Sequence, residues 1–412
     1  MTPARVLVAH AAYQQRGGED AVVEAELELL RARGHAVATY LRSNDEVAGL
    51  GQVALAGQTL WSRRTVRELT AQIARFAPDV IHVHNTLPLL SPALYWAAAR
   101  AGVPVVQTLH NFRLMCLNAL FLRDGRVCEA CAGHLPWRGV AHGCYRGSRA
   151  ASGVLAGMLG LHRALGTYRH KVARYIALNA FCRDKFVAGG LPAGRVVIKP
   201  NFVDAPAPPA GPRDGLLYVG RLSVEKGIDT LARAVRGVPG LALRVAGEGP
   251  ESGCLDDAPG VVRLGSLPGA AVRGEMERAR ALVVPSLWYE NFPRTVVEAF
   301  AAGLPVIASR IGALASIVTD GHTGLLFETG DARDLAQKLD WALHHPHEMA
   351  AMGRQARAQY EAEFCADVNY RRLMEIYGEA MAEWNVGSGN TAQGTSATTH
   401  GAGSDPRRDA AQ

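Results

Sequence analysis

The chain has 412 residues, 48% hydrophobic and 20% charged, with 44 Lys and Arg against 38 Asp and Glu for a net charge of +6. That length exceeds what one hydrophobic core organises and predicts two domains, while the composition excludes a disordered or fibrous chain. No run of eighteen apolar residues occurs and MTPARVLVAH lacks the regions of a signal peptide, so no membrane span and a cytoplasmic, reducing location are expected.

RVLVAH (5–10), DVIHVH (79–84), VPVVQTLH (103–110), RYIALN (174–179) and RVVIKPN (195–201) are apolar runs, predicted as strands of a parallel sheet buried on both faces. Between them, EDAVVEAELELLRARG (19–34) and SPALYWAAARAG (91–102) predict amphipathic helices, the second with Ser91 as N-cap, Pro92 in its first turn and Gly102 at its end. From Ala130 to Arg183 there is no Asp or Glu, while Arg138, Arg146, Arg149, Arg163, Arg169, Lys171, Arg174 and Arg183 are all basic. ASGVLAGMLGLHRALG (151–166), within that stretch, reads either as a segment lying on an anionic membrane surface or as a buried helix beside a solvated basic face. Nucleic acid is disfavoured, because no aromatic interleaving or recognition motif accompanies the arginines.

DAPAPPAGPRDG (204–215) marks a linker. A second series follows: LLYVGR (216–221), LALRVAG (241–247), VVRLG (261–265), ALVVPS (281–286), LPVIAS (304–309) and TGLLF (323–327) predict strands, with helices near 225–236, 270–280, 293–302 and 312–319. Two successive β/α series predict two doubly wound domains, at 1–204 and 216–363 around a linker at 205–215. A helix over 364–384 is expected to return to the N-terminal domain, and the apolar-poor 385–412 to be disordered.

In such folds ligands sit beyond the carboxyl ends of the strands. Gly17-Gly18 follows the first strand and opens a helix. His110 ends VPVVQTLH, Arg221 and Lys226 follow LLYVG, and Glu290 follows ALVVPS. In YENFPRTVVEAF (289–300), Glu290 and Glu298 stand eight apart around Pro293, which starts a helix that stops at Gly303. One carboxylate then lies on the loop and the other inside the helix. With a helix N-terminus between them, they suit a ligand both anionic and rich in hydroxyls, such as a sugar nucleotide; simple capping is the plainer alternative.

YENFPRTVVE has the E-x7-E spacing of retaining glycosyltransferases of family 4, which adopt the GT-B fold. GRLSVEKGIDTLARAV, VAGEGP, FAAGLPVIAS and GALASIVTDGHTGLLF resemble that family's nucleotide domain, and RGGEDAVVEAELELLRARGHAV and TLHNFR its acceptor domain. The resemblance covers residues 5 to about 380. It implies an α/β GT-B architecture of two Rossmann-like domains facing across a cleft. It implies that Arg221 and Lys226 bind the donor diphosphate, Glu298 the ribose hydroxyls and Glu290 the transferred sugar, that Gly18 allows close approach to the diphosphate, and that His110 donates a hydrogen bond near the reacting face. A front-face reaction follows, without a catalytic metal. Two positions depart from the pattern: Phe292-Pro293 replaces the usual Phe-Gly, removing a backbone N–H, and Ser316 replaces a Glu. The expected activity is transfer from a nucleoside-diphosphate sugar to a cell-surface polysaccharide or a lipid-linked saccharide, with the enzyme peripheral on the inner face of the membrane. A nucleotide-sugar 2-epimerase of GT-B-like fold and an inactive sugar-nucleotide binder are the alternatives.

Cys116, Cys128, Cys131 and Cys144 fall within CLNALFLRDGRVCEACAGHLPWRGVAHGC. Cys128-x2-Cys131 is a pair of the kind that grips one side of a tetrahedral zinc, and Cys116 and Cys144 flank it. A closed structural Zn²⁺ that shapes a loop over the acceptor side is expected, with four unliganded thiols or a redox pair as the other readings. His134 or His142 could replace one sulfur.

Overall fold

The computed structural model describes residues 3–14, 17–209 and 211–392, with side chains as far as Trp384. The first half contains β1 (Arg5–Ala12), β2 (Ala36–Ser43), β3 (Val80–Val83), β4 (Val105–Thr108), β5 (Leu122–Arg123), β6 (Arg126–Val127), β7 (Arg174–Ala177) and β8 (Val196–Ile198). Six of these form a parallel sheet in the order β2-β1-β3-β4-β7-β8, and β5 and β6 form a separate antiparallel hairpin. The second half contains β9 (Leu216–Val219), β10 (Leu243–Ala246), β11 (Val261–Gly265), β12 (Ala281–Val284), β13 (Val306–Ser309) and β14 (Gly324–Phe327). They form a parallel sheet in the order β11-β10-β9-β12-β13-β14. In both sheets the direction of winding reverses, between β1 and β3 and between β9 and β12, and such reversal points open a crevice for ligand.

The apolar runs are continuous because each sheet is covered twice. Along β1, Leu7 and Ala9 face one core, packed with Leu94 and Tyr95 of the Ala93–Arg100 helix. Val6 and Val8 face another, packed with Val23, Leu27 and Leu30 of the Gly18–Ala32 helix. In β9, Leu216 and Tyr218 face one core of the second sheet and Leu217 the other. The alternation is that of any strand, with both faces dry.

The long helix Ala366–Ala392 lies on the first sheet, where Leu373, Met374, Ile376 and Tyr377 share a core with Val6, Val80 and Ile176. It continues through Ala392, into the stretch expected to be disordered; 393–412 lie outside the described residues. Residues 204–209 and 211–215 carry no helix or strand, and this segment is strapped where Tyr360 Oη donates to the Val203 carbonyl at 2.8 Å. The helices Gln52–Leu60, Arg63–Phe76 and Ala180–Ala188 and the edge strand β2 have no counterpart among the expected elements. The apolar 151–166 stretch is the Arg149–Ala164 helix, which buries Leu155, Ala156, Met158 and Leu159 and leaves Leu161 exposed.

Candidate active site

A cavity of about 460 Å³ lies between the sheets, lined by Gly18, Glu19, His110, Asn111, Lys226, Trp288, Glu290 and Arg294 among others. Its lining comes from the ends of β1, β4, β9 and β12, so both reversal points open onto it.

Glu290 is 9% exposed and tightly held. Its Oε1 accepts from Lys226 Nζ at 2.6 Å, Ser286 Oγ at 2.9 Å and Trp288 Nε1 at 3.1 Å. All three bonds fall on one oxygen, so Oε2 is the acceptor left for a ligand. Lys226 is brought there by close backbone packing: the next residue, Gly227, has φ +72° and a Cβ there would stand 1.9 Å from the Pro285 carbonyl oxygen. Only glycine fits, and the loops after β9 and β12 are locked together as a result.

Glu298 sits in the Arg294–Ala301 helix and lines a second cavity of about 250 Å³ with Val219, Arg273 and Glu277. Arg294 lines both cavities and pairs with Glu298 at 2.8 Å. The two glutamates thus serve adjoining spaces rather than one point. Arg221 is exposed on the loop after β9 and lines neither cavity, so the structure does not bring it together with Lys226.

On the opposite wall, Asp20 organises the turn before the first helix. It accepts from the Gly17 N–H at 2.7 Å and the Tyr13 N–H at 3.3 Å, and contacts His10 Nε2 at 2.9 Å. Burial alone would raise its pKa, but the His10 and backbone hydrogen bonds outweigh that and hold it below the usual carboxylate value. A Cβ at Gly18 would meet nothing within 4 Å, so the protein itself does not demand glycine there. Glu19 faces the cleft, accepting from Asn111 Nδ2 at 2.7 Å and Tyr13 Oη at 2.8 Å. His110 is half-buried; its Nε2 meets His84 Nδ1 at 2.8 Å, and burial pushes its pKa down to about 4. Glu19, Asn111, Trp288 and Arg294 were not singled out from the sequence.

The four clustered cysteines are free thiols, Cys116 and Cys131 buried and Cys128 and Cys144 half-buried. Cys128 N–H bonds the Phe121 carbonyl at 2.7 Å, closing the β5–β6 hairpin. Gly139 joins two of the others: its carbonyl accepts from Cys144 N–H at 2.9 Å, and a Cβ there would stand 3.6 Å from Cys131 Sγ. Burial raises the pKa of Cys144, and the thiols of Cys116, Cys131 and Cys128 raise it further. Cys116 Sγ is turned to Asn118 Oδ1 at 2.9 Å. Among the described residues, three ligand-type atoms within 4.8 Å of one another occur at Glu26, His82 and His84, not at the thiols. The cysteine segment reaches the loops after β9 and β12, with Phe121 edge-on to Tyr289 and a Cβ at Gly125 3.5 Å from Val224.

Two family models match: "Glycosyltransferase Family 4" over residues 16–205 and "Glycosyl transferases group 1" over residues 207–359. A glycogen synthase of Mycobacterium tuberculosis is 36% identical over 305 residues, covering 70% of this chain and 65% of its own length. The sulfoquinovosyl transferase SQD2 of Arabidopsis thaliana is 25% identical over 77% of this chain and 60% of its own. The chain therefore spans less than two thirds of these two relatives. A D-inositol 3-phosphate glycosyltransferase of Rhodococcus opacus is 28% identical, covering 77% of this chain and 71% of its own. Among solved structures, sucrose-phosphate synthase from Thermosynechococcus elongatus superimposes with a TM-score of 0.64 over 92% of this chain and all of its own at 19% identity. Anabaena Alr3699/HepE in complex with UDP and glucose does so with a TM-score of 0.61 over 90% of this chain and 98% of its own at 17% identity, and likenesses at this level speak for the fold alone. With both halves matched, and two parallel sheets facing across one cleft, the chain belongs to glycosyltransferase family 4 and has the GT-B fold.

Proposed function

We propose that the chain transfers a sugar from a nucleoside-diphosphate sugar to a saccharide or lipid-linked saccharide of the cell surface, with retention of anomeric configuration. Residues 1–204 serve as the acceptor side and 216–363 as the donor side. The observation that carries the reading is the convergence of His110, Lys226 and Glu290 on one cavity between the sheets, with Glu298 in the adjoining one.

Glu298 accepts from the ribose hydroxyls, and Glu290 Oε2 from a hydroxyl of the transferred sugar. As the bond from the anomeric carbon to the phosphate oxygen breaks, negative charge grows on the leaving diphosphate. Lys226 stabilises it, and Arg221 joins from its exposed loop, so no divalent cation is required. The acceptor oxygen bonds the same face of the anomeric carbon, and its proton passes to the leaving phosphate.

A membrane-borne acceptor is supported by one surface. Trp137, Leu135 and Leu161 are exposed at 61%, 42% and 42%, beside the exposed Arg138 and Arg149. Leu135 packs beside Gly160 of the Arg149–Ala164 helix, so these groups share a region of mixed apolar and basic character suited to an anionic lipid surface. No described helix is long and apolar enough to cross a membrane. The cysteine segment, lining the cleft with Ala119 and Leu120, shapes the acceptor side. A structural zinc there is proposed on the Cys128-x2-Cys131 spacing, and it requires the four thiols to close in from the positions they hold, Cys116 Sγ turning away from Asn118.

The test is incubation with labelled nucleotide sugars, with and without lipid extract or saccharide. Label in the acceptor fraction is expected. An epimerised donor formed without acceptor would replace this reading by an isomerase, and neither product would leave a binder.

A further inference from the structure

A line of buried polar groups runs inward from His110 and has no part in the chemistry above. The rings of His110 and His84 lie edge to edge, centroids 5.1 Å apart and 17° from parallel, with His110 Nε2 against His84 Nδ1 at 2.8 Å. The other nitrogen of His84, Nε2, stands 4.0 Å from Glu26 Oε1. Both of these atoms are fully buried, and Nε2 has no hydrogen-bond partner among the described residues.

Glu26 is anchored from its other side. Lys199 Nζ lies 3.4 Å from Oε2 and donates to Asn369 Oδ1 at 3.0 Å. His82 Nδ1 is 2.8 Å from Oε1 and also 2.7 Å from the Tyr377 hydroxyl, so the two oxygens compete for it. Burial alone would raise the pKa of Glu26; Lys199 and then His82 outweigh it and hold the group well below the usual carboxylate value, so it is an anion. Burial and the neighbouring His82 hold His84 well below the ordinary histidine value, so it is neutral.

A neutral imidazole carries one proton. On His84 Nε2 that proton faces the carboxylate; a lone pair there would face it repulsively, in an interior where charge is poorly screened. His84 Nδ1 is then an acceptor, satisfied by an N–H on His110 Nε2. His110, neutral in turn, keeps its lone pair on Nδ1. That atom has no partner among the described residues, and His110 lines the cleft.

We propose that Glu26 and His84 are positioning residues that hold His110 as its Nε2-protonated tautomer, so that its Nδ1 accepts a hydrogen bond from a substrate hydroxyl. The inference rests on the placing of His110 at the reacting site and reverses the donor role expected of it. The cluster is not a cation site, although Glu26, His82 and His84 bring three ligand-type atoms within 4.8 Å. Lys199 already compensates the carboxylate, and both nitrogens of His82 are engaged, Nδ1 with Tyr377 and Nε2 with Thr108 Oγ1 at 2.8 Å.

Long-range ¹H–¹⁵N correlation spectra of the full chain labelled at histidine read the tautomer directly. A protonated Nε2 and bare Nδ1 on both His84 and His110 are expected; a protonated Nδ1 on His110 overturns the proposal, and this measurement needs no variant. A second arm uses Glu26→Gln combined with Lys199→Met, which removes both buried charges together and strands neither. Its turnover should fall about tenfold or more with donor KM and nucleoside-diphosphate affinity unchanged, as for a group serving the transition state. Its His110 nitrogen shifts should move toward a tautomer mixture, and unmoved shifts overturn the proposal. Failure of the underlying reading looks different: His110→Ala would then keep full turnover while the wild-type tautomer pattern stands.

Discussion

The side-chain amide of Asn291 donates to the main-chain carbonyl of Leu109 at 3.0 Å, across the cleft. Asn291 follows Glu290 and Leu109 precedes His110, so this bond sets the spacing of two candidate site residues that belong to different domains. Asn179 Nδ2 meets the Asn291 carbonyl at 2.7 Å and Cys182 Sγ its Oδ1 at 2.9 Å. Asn291→Ala should cost about 1–2 kcal/mol of stability and lower turnover about tenfold, because reacting groups lose their alignment. Calorimetry with steady-state kinetics checks both; turnover equal to wild type would mean that the alignment of the reacting groups does not depend on this residue.

The two glutamates should separate on testing. Glu298→Gln is expected to weaken every nucleoside diphosphate, since ribose is common to all of them. Glu290→Gln should leave the bare nucleotide bound and impair transfer from the complete donor, because Oε2 is the acceptor proposed for the sugar. Isothermal titration with nucleotide and with intact donor distinguishes the two, and equal weakening of the bare nucleotide by both variants would refute the division.

Lys226→Ala should lose about 1.5–3 kcal/mol of nucleoside-diphosphate affinity, roughly ten- to a hundredfold. It also removes one of the three bonds to Glu290 Oε1, so transfer should suffer beyond the loss in binding. Arg221→Ala should weaken binding in the same direction and leave Glu290 undisturbed, since Arg221 lies outside the cavity. Titrations of the two variants against wild type decide the assignment, which fails for either residue whose removal leaves affinity unchanged.

Acid should act on the histidines. Burial lowers the folded-state pKa of His110 to about 4 from an ordinary value of 6.5, and lowers that of His84 in the same direction. Between these values the unfolded chain binds the proton and the folded chain does not. The stability at stake is therefore fully present above about pH 6.5 and lost progressively as pH falls toward 4. Denaturant midpoints measured across that range should fall, and fall less steeply in His110→Asn; a parallel decline in the variant would show that other groups dominate.

Metal analysis tests the thiols. Protein purified without an affinity tag should carry about one zinc per chain. Cys128→Ser combined with Cys131→Ser should lose the metal and acceptor transfer while retaining nucleotide binding on the second sheet. Fully active protein without zinc would leave the cysteines as packing groups.

Much of this architecture is legible in local pattern because both sheets are covered on both faces. Strands such as RVLVAH and ALVVPS must then be apolar throughout, and they announce themselves. Strand β2 is an edge strand carrying Thr39 and Arg42, so it shows no such run. The strand–loop–helix boundary around Pro293 is legible because proline fits the start of a helix. The inward line from His110 is legible in the same way. His82 and His84 stand two apart in a strand-like run and share a face, and Glu26 falls in the buried stripe with Val23, Leu27 and Leu30. What no local pattern carries is partnership across the chain: Lys199 with Glu26, Tyr377 with His82, and Asn291 with Leu109 are separated by 170 residues or more.

The position of the Ala366–Ala392 helix bears on how the protein is made. Its Tyr377 reaches His82, its Asn369 reaches Lys199, and Arg174 finds carboxylates at Glu379 and Glu383, so one face of the first sheet is not fully covered until the residues that follow the second sheet have been made. During synthesis the nascent N-terminal half exposes the Val6–Val80–Ile176 surface and strands a buried lysine, while the second sheet can complete its own cores first. The segment that closes the first domain is thus synthesised after the whole of the second sheet.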